Sequence, residues 1–394
     1  MPAAAPLDTP LCLPAGRYRT LAVAGIAHAL HDGLSDLIYV LLPVWRTEFA
    51  ASYGMLALLR GLYAGTTAGL QVVAGGAADR FGARPMLVLG TLLAAGGYVL
   101  AGFAGSFAGL ALALAVSGSG ASVQHPVGSA AVSRAYGDRA RGPLGIYNFC
   151  GDLGKAGLPA AASLLLMVFP WRGTVRLMAC LGFAAALLVG LLMPAAGHPE
   201  PASRPLESPR PGTGRGGFPL LLGIGVLDST VRMGFLTFLP FILKGKGAAL
   251  PIVGLALALV FMGGALGKFA CGWLGARFGV LGTVIATEGG TTAVILAVLA
   301  LPLAPALALL PLLGVMLNGT SSVLYGTVPE LSPPDQVARS FAKFYTGTIG
   351  SGAVAPVFLG WFGDAAGIVW ATAVTASIAL VTIPLAICLA PRLR

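Results

Sequence analysis

The chain has 394 residues, of which 57% are hydrophobic and only 10% charged, and its mean hydropathy is +0.87. A soluble chain of this size carries about a quarter charged residues, so the composition excludes a water-facing globular surface and predicts an integral membrane protein. The formal net charge of +10 invites a nucleic-acid reading, which the placement of the charges removes.

A helix crosses the hydrocarbon core with about 20 apolar residues. Runs between charged or Gly/Pro breaks predict twelve spans, near 18–45, 54–77, 85–105, 107–133, 142–169 and 173–193, then 218–243, 249–273, 280–302, 305–328, 337–361 and 367–390. Stretches such as LALALAVSGSGASV lack the period-two alternation of a membrane barrel, so the predicted class is all-α. Sorted by these spans, Lys and Arg at 17, 19, 80, 84, 134, 139, 141, 204, 210, 215, 277, 339, 343, 392 and 394 share the side of the N-terminus. Those at 46, 60, 172, 176, 244 and 246 fall opposite, and 155, 232 and 268 fall within the membrane. The positive-inside rule then predicts cytoplasmic termini in a bacterial-type inner membrane. Trp45, Trp171, Trp361 and Trp370 fall at the opposite interface, as an aromatic belt would. The basic excess is topology, and no nucleic-acid partner is expected. The N-terminal residues read as lacking a cleavable signal, and the five cysteines show no paired spacing for a disulfide framework or zinc site.

Span 1 contains HALHDGLSD, His28 to Asp36. At 100° per residue, His28, His31, Asp32, Ser35, Asp36 and Tyr39 fall within an arc of about 140°. A charge at the bilayer centre costs about 2.5–3.5 kcal/mol even on the mild insertion scale, so such residues are functional candidates. A carboxylate beside a histidine suits proton relay, because burial and neighbours tune both groups. Asp32 is the expected main carrier, tuned by His28, with Asp36 and Asp152 as further proton sites. Between spans 2 and 3 lies GGAADRFGARP, with Gly75, Asp79, Arg80, Gly82 and Arg84. Glycine allows a tight helix-to-helix turn, and Asp79 can accept charge-assisted hydrogen bonds.

Candidate partners for the span 1 face, and candidate substrate contacts together with His31 and Tyr39, follow along the chain. They are Gln124 and His125 in span 4, Asn148 and Lys155 in span 5, Asp228 and Arg232 in span 7, Lys268 in span 8, and Asn318 and Tyr325 in span 10. Asp152/Lys155 and Asp228/Arg232 have the i,i+3 and i,i+4 spacing of pairs that neutralise themselves locally, which would also suit a purely structural role. In span 5, Gly145, Gly151, Gly154 and Gly157 precede Pro159, and such small residues let helices approach and slide.

The polar, Pro-rich stretch 194–217 reads as a flexible cytoplasmic linker. It divides a six-helix unit, 1–193, from a second, 218–394. The two repeat each other. Pro43 matches Pro240, and Gly75, Arg80, Phe81 and Gly82 match Gly272, Arg277, Phe278 and Gly279, all at an offset of 197; 151–157 matches 347–353 at 196. Parallel repeats around a midplane site are a transporter plan.

GGAADRFGARP resembles the G-x-x-x-D-R-x-G-x-R signature of the major facilitator superfamily, whose loop latches the two halves on the cytoplasmic side. In the second copy, GWLGARFG, Ala276 stands where Asp79 does, which implies a weaker latch. HALHD, SVQHPVGSAAVSRAYG, CGDLGKAGLP, RMGFLTFLPFIL and LGWFGDAAGI together resemble the fosmidomycin-resistance-type branch, whose members are proton-driven exporters of small drugs. Lys155, Lys268 and Ala276 depart from that branch. The glycines before Pro159 resemble a loosened antiporter motif, with Leu158 intervening.

The resemblance implies a twelve-helix fold and monomeric, proton-coupled export of a small polar or anionic organic compound or drug. The alternative is import of an organic anion or metallophore by proton symport. His28, His31 and His125 together raise a metal reading, but no H-x-x-x-H pair or Cys/Met set accompanies them, and neither metal nor cofactor is expected. An intramembrane enzyme is not expected either, since H-E-x-x-H, G-x-S-x-G and Walker-type motifs do not occur in the sequence.

Overall fold

The computed structural model describes residues 15–194, 216–333 and 337–393; apart from its ends, the linker expected at 194–217 lies outside them. The helices are α1 (Ala15–Phe49), α2 (Tyr53–Phe81), α3 (Ala83–Phe103), α4 (Phe107–Ala121), α5 (Ser129–Tyr136), α6 (Arg141–Leu165) and α7 (Trp171–Leu192). After the linker come α8 (Gly217–Gly245), α9 (Leu250–Ala300), α10 (Leu303–Thr327), α11 (Val337–Ala366) and α12 (Ile368–Leu389). A π-helical turn, Gln124–Gly128, joins α4 and α5 into one crossing, and a non-helical Gly279 divides α9 into two. The result is twelve crossings in an all-α membrane protein.

Local chemistry sets several of the boundaries. Ser52 and Ser106 cap α2 and α4, accepting from the N–H groups of Met55 (3.3 Å) and Gly109 (3.1 Å). Gly82 ends α2 at φ 92°, and its repeat partner Gly279 has φ 69°. Both are left-handed positions that favour glycine. The guanidinium of Arg80 lies over Phe81 (5.4 Å), as that of Arg277 lies over Phe278 (5.9 Å). Pro43 and Pro240 likewise sit inside α1 and α8.

By length and hydropathy alone, eight segments of the described residues qualify as spans. Helices α1, α2, α6 and α11 fall short because they carry more glycine and polar residues. Helices α1 and α6 are in intimate contact. A Cβ on Gly154 would lie 1.8 Å from the Ala29 carbonyl oxygen, and one on Gly151 2.7 Å from Asp32 Oδ2. Gly145 and Gly157 have no such neighbour.

Twelve crossings return the chain to its starting side, here called the terminal side. The two sets of six spans meet mainly toward the other side. There α2 meets α11, with Gly54 under Trp361 and Gly61 against the backbone of Ala353. Asp364 of α11 accepts the N-terminal amides of α2, from Tyr53 (2.7 Å) and Gly54 (3.0 Å). Nearby, Gly254 of α9 packs on Ser163 and Ala160 of α6. Toward the terminal side α2 loses these neighbours, and Val72 and Val73 are 85% and 66% exposed.

Two expectations about that opposite interface change. Trp361 and Trp370 are exposed as a belt requires, but Trp45 and Trp171 are buried against each other at 6.2 Å. Their rings extend the core instead of anchoring in headgroups. Arg172 donates to Glu48 (2.5 Å), and this hydrogen bond holds the Glu48 carboxyl below its usual range.

Candidate functional site

Between the two sets of spans lies a cavity of about 200 Å³, with walls from α1, α2, α6, α8, α9, α10 and the π turn. Four of the six polar residues expected on one face of α1 line it: Asp32, Ser35, Asp36 and Tyr39. Opposite them stand Arg232, Lys268 and Asn318 from the last six spans. At the repeat offset of 197 Arg232 corresponds to Ser35, and both line the cavity.

A chain of charged groups runs from behind one wall to the other. His28 Nδ1 lies 2.9 Å from the Tyr147 carbonyl oxygen. A carbonyl only accepts, so Nδ1 carries hydrogen and the opposite nitrogen, Nε2, is the one turned toward Asp32. That Nε2 makes no hydrogen bond and sits 3.3 Å from Asp32 Oδ2. His125 approaches the other Asp32 oxygen at 3.4 Å, and Lys155 approaches Oδ2 at 3.1 Å. Lys155 is also 3.7 Å from Asp152, which Lys268 of α9 reaches at 2.6 Å. The ladder His28–Asp32–Lys155–Asp152–Lys268 therefore crosses from the first six spans to the last. The π turn, which contains Pro126, widens the helix at His125, and such turns recur at functional sites.

A second pair was half legible. Asp36 meets Arg60 at 3.6 Å, and the Arg60 guanidinium lies 5.1 Å from the Tyr39 ring and 5.7 Å from that of Tyr63. Arg60 was sorted to the opposite interface from its position in the sequence; it is instead buried and lines the cavity. Because α2 starts at Tyr53, Arg60 is two turns inside the helix. Tyr39 Oη donates to Met233 Sδ across the halves (3.5 Å).

The expected Asp228–Arg232 pair is not formed. Arg232 makes no salt bridge among the described residues, and its Nε lacks any hydrogen-bond partner. Asp228 does not line the cavity; it is buried, as is Glu288 of α9. Sequence reading did not single out Glu288, although a lone acid within an apolar span was its signal. Other candidates also sit outside the cavity wall. His31 meets Thr91 of α3 (3.0 Å), Gln124 donates to Tyr147 (3.3 Å), Tyr325 packs against Phe344, and Asn148 is exposed.

The ligand atoms of His28, Asp32 and His125 lie within 4.8 Å of one another, a spread that suits a metal ion. The Lys155 ammonium beside Asp32 already stands where a cation would compete. The latch segment lies on the terminal side, where Arg84 donates to the Gly190 carbonyl while Asp79 and Arg80 are exposed and form no ion pair among the described residues.

The family model of the Major Facilitator Superfamily matches residues 24–225 and 220–394. Similar curated proteins include the fosmidomycin resistance protein of Escherichia coli K12, 28% identical over 149 residues, or 38% of this chain and 37% of that protein. The multidrug resistance protein MdtH of Cronobacter sakazakii is 31% identical over 159 residues, 38% of this chain and 40% of its own. The alignments thus span about two fifths of these relatives' length. Among solved structures, a bacterial homologue of the lysosomal transporter Spinster, inward-facing and unoccupied, superposes with TM-score 0.76 at 16% identity, covering 96% of each chain. A variant of the nucleoside transporter NupG gives 0.78 at 10% identity, covering 95% of this chain and 99% of its own.

Proposed function

The chain belongs to the major facilitator superfamily, and on that premise we propose that it exports a small polar or anionic organic compound by proton antiport. The observation that carries this reading is the cavity itself, where Arg232, with no salt bridge among the described residues, faces a ladder of ion pairs ending in the buried His28–Asp32 couple. The drug-resistance names of the partial relatives support efflux. In this reading 1–193 and 218–394 rock about the cavity as a monomer. His28–Asp32, with Asp36 and Asp152, handles protons; Arg232, Lys155, Lys268, Tyr39, His125 and Asn318 contact the substrate. A proton on His28 Nε2 would lie 3.3 Å from the Asp32 carboxylate, so the two groups can share it.

The direction of coupling is open to a direct measurement. In proteoliposomes an acidic lumen should drive substrate accumulation if proton and substrate exchange; accumulation driven only by an acidic exterior would establish symport instead. One observation favours that second reading for a purely anionic cargo. A proton gained in the cavity adds positive charge near Arg232 and so favours an anion.

The excess of Lys and Arg supports placing the terminal side in the cytoplasm. A single cysteine at position 205 should then react with an impermeant maleimide only from the cytoplasmic face. The latch segment is idle while the halves are parted on its side, and we expect it to engage when the cavity opens the other way. Asp79→Asn should therefore cut transport about tenfold or more by weakening charge-assisted hydrogen bonds. Unchanged initial rates would remove the segment from the transport cycle.

A further inference from the structure

The charges of the cavity restrict what an antiporter built this way can carry, an inference that rests on the export reading above. Its carboxylates, Asp32, Asp36 and Asp152, all belong to the first six spans, and each has a basic partner within 3.6 Å. Arg60, Lys155 and Lys268 supply those partners. Arg232, on α8, is left over, with its Nε unsatisfied.

Linkage fixes the sign of coupling. A proton bound at His28–Asp32 or at Asp152 makes the cavity more positive. It strengthens the hold of Arg232 on an anion and weakens the hold of the carboxylates on a cation. Exchange of substrate for proton requires that the two exclude each other, so a pure anion gives the wrong sign. A substrate ammonium gives the right one, because it and the proton compete for the same oxygens. Arg232 adds the demand for an acid group, whose planar oxygens its guanidinium fork matches.

We propose that the cavity binds a zwitterion, with its ammonium at Asp32 and Asp152 and its carboxylate or phosphonate at Arg232. The ammonium displaces the head group of Lys155 or Lys268, whose side chains are 30% and 40% exposed and flexible enough to withdraw. Met233, Leu236 and Phe261 offer apolar wall to the stem between its charges. The titrating and charged neighbours of the two carboxylates are His28 on α1, His125 from the π turn, Lys155 on α6 and Lys268 on α9.

Three five-carbon probes test this on the purified full-length protein: 5-aminopentanoate, glutarate and 1,5-diaminopentane, at millimolar concentration. Thermal shift reads binding, and a pH indicator in weak buffer reads the proton. The expected result is that 5-aminopentanoate binds at least about tenfold more tightly than the other two and, at a pH low enough for the carboxylates to hold protons, releases protons on binding. Its affinity should fall as the pH is lowered. Arg232→Ala should abolish its binding, Arg232→Lys should restore part of it, and Asp152→Asn should reduce proton release. Glutarate binding as tightly with proton uptake would overturn the proposal, as would diamine binding that survives Arg232→Ala undiminished beside equal zwitterion binding. No response to 5-aminopentanoate would overturn it too. Zwitterion binding together with transport driven only by an acidic exterior would leave the ligand class standing and remove the export reading.

Discussion

Asp32→Asn should abolish gradient-driven transport while substrate–substrate exchange stays measurable. The carboxylate lies within 3.4 Å of three nitrogens, His28 Nε2, His125 Nε2 and Lys155 Nζ. Asparagine keeps its shape and loses its charge. The amide offers His28, His125 and Lys155 no charge to pair with, and it cannot take up a proton as a carboxylate can. Lys155 falls back on Asp152, already 3.7 Å away, and the cavity remains able to close around a ligand. Exchange requires only that the loaded carrier reorient; net transport against a gradient also requires the proton. Counterflow and pH-driven uptake in one vesicle preparation separate the two. Full pH-driven uptake by the variant would move the carrier elsewhere, with Asp152 the next residue to test.

Much of this is legible in the sequence. The 197-residue offset between the halves reappears as two left-handed glycines, Gly82 and Gly279, and as matching Arg-over-Phe contacts. The arc of polar residues on span 1 found the cavity because helical periodicity is a local property. The failures share a different cause. Asp228 and Arg232 have the right spacing to pair, yet only Arg232 lines the cavity and the two form no salt bridge, because sequence spacing holds no information about how neighbouring helices turn each side chain. Arg60 was misplaced because a charge near a span end is sorted to water by default. Its partner, Asp36, lies on another helix, which its position along span 2 does not show. Trp45 and Trp171 lie at the expected end, but their partner is each other.

The second large effect is expected from a residue with no chemistry at all. Gly154→Leu should remove folded, active protein, whereas Gly157→Ala, three residues on, should be nearly silent. In a bilayer, helices associate through close packing of small residues, since lipid tails offer no hydrophobic drive between apolar surfaces. At Gly154 even a Cβ would lie 1.8 Å from the Ala29 carbonyl oxygen, and that atom is backbone, so no rotamer relieves it. Helices α1 and α6 would have to separate by more than an ångström. Extra volume in a well-packed core already costs about 1–3 kcal/mol where side chains can adjust, and here they cannot. The same separation reaches the chemistry, because Lys155 follows Gly154 directly and its 3.1 Å contact with Asp32 spans this interface. A variant that still inserts should therefore lose proton coupling as well as stability. Gly157 has no atom within 4 Å of its would-be Cβ, so a methyl group there meets open space. Detergent-solubilised yield, melting temperature and pH-driven uptake, measured on both variants, should separate them on every count. Normal yield and coupling in Gly154→Leu would mean that α1 and α6 do not pack this closely in the membrane.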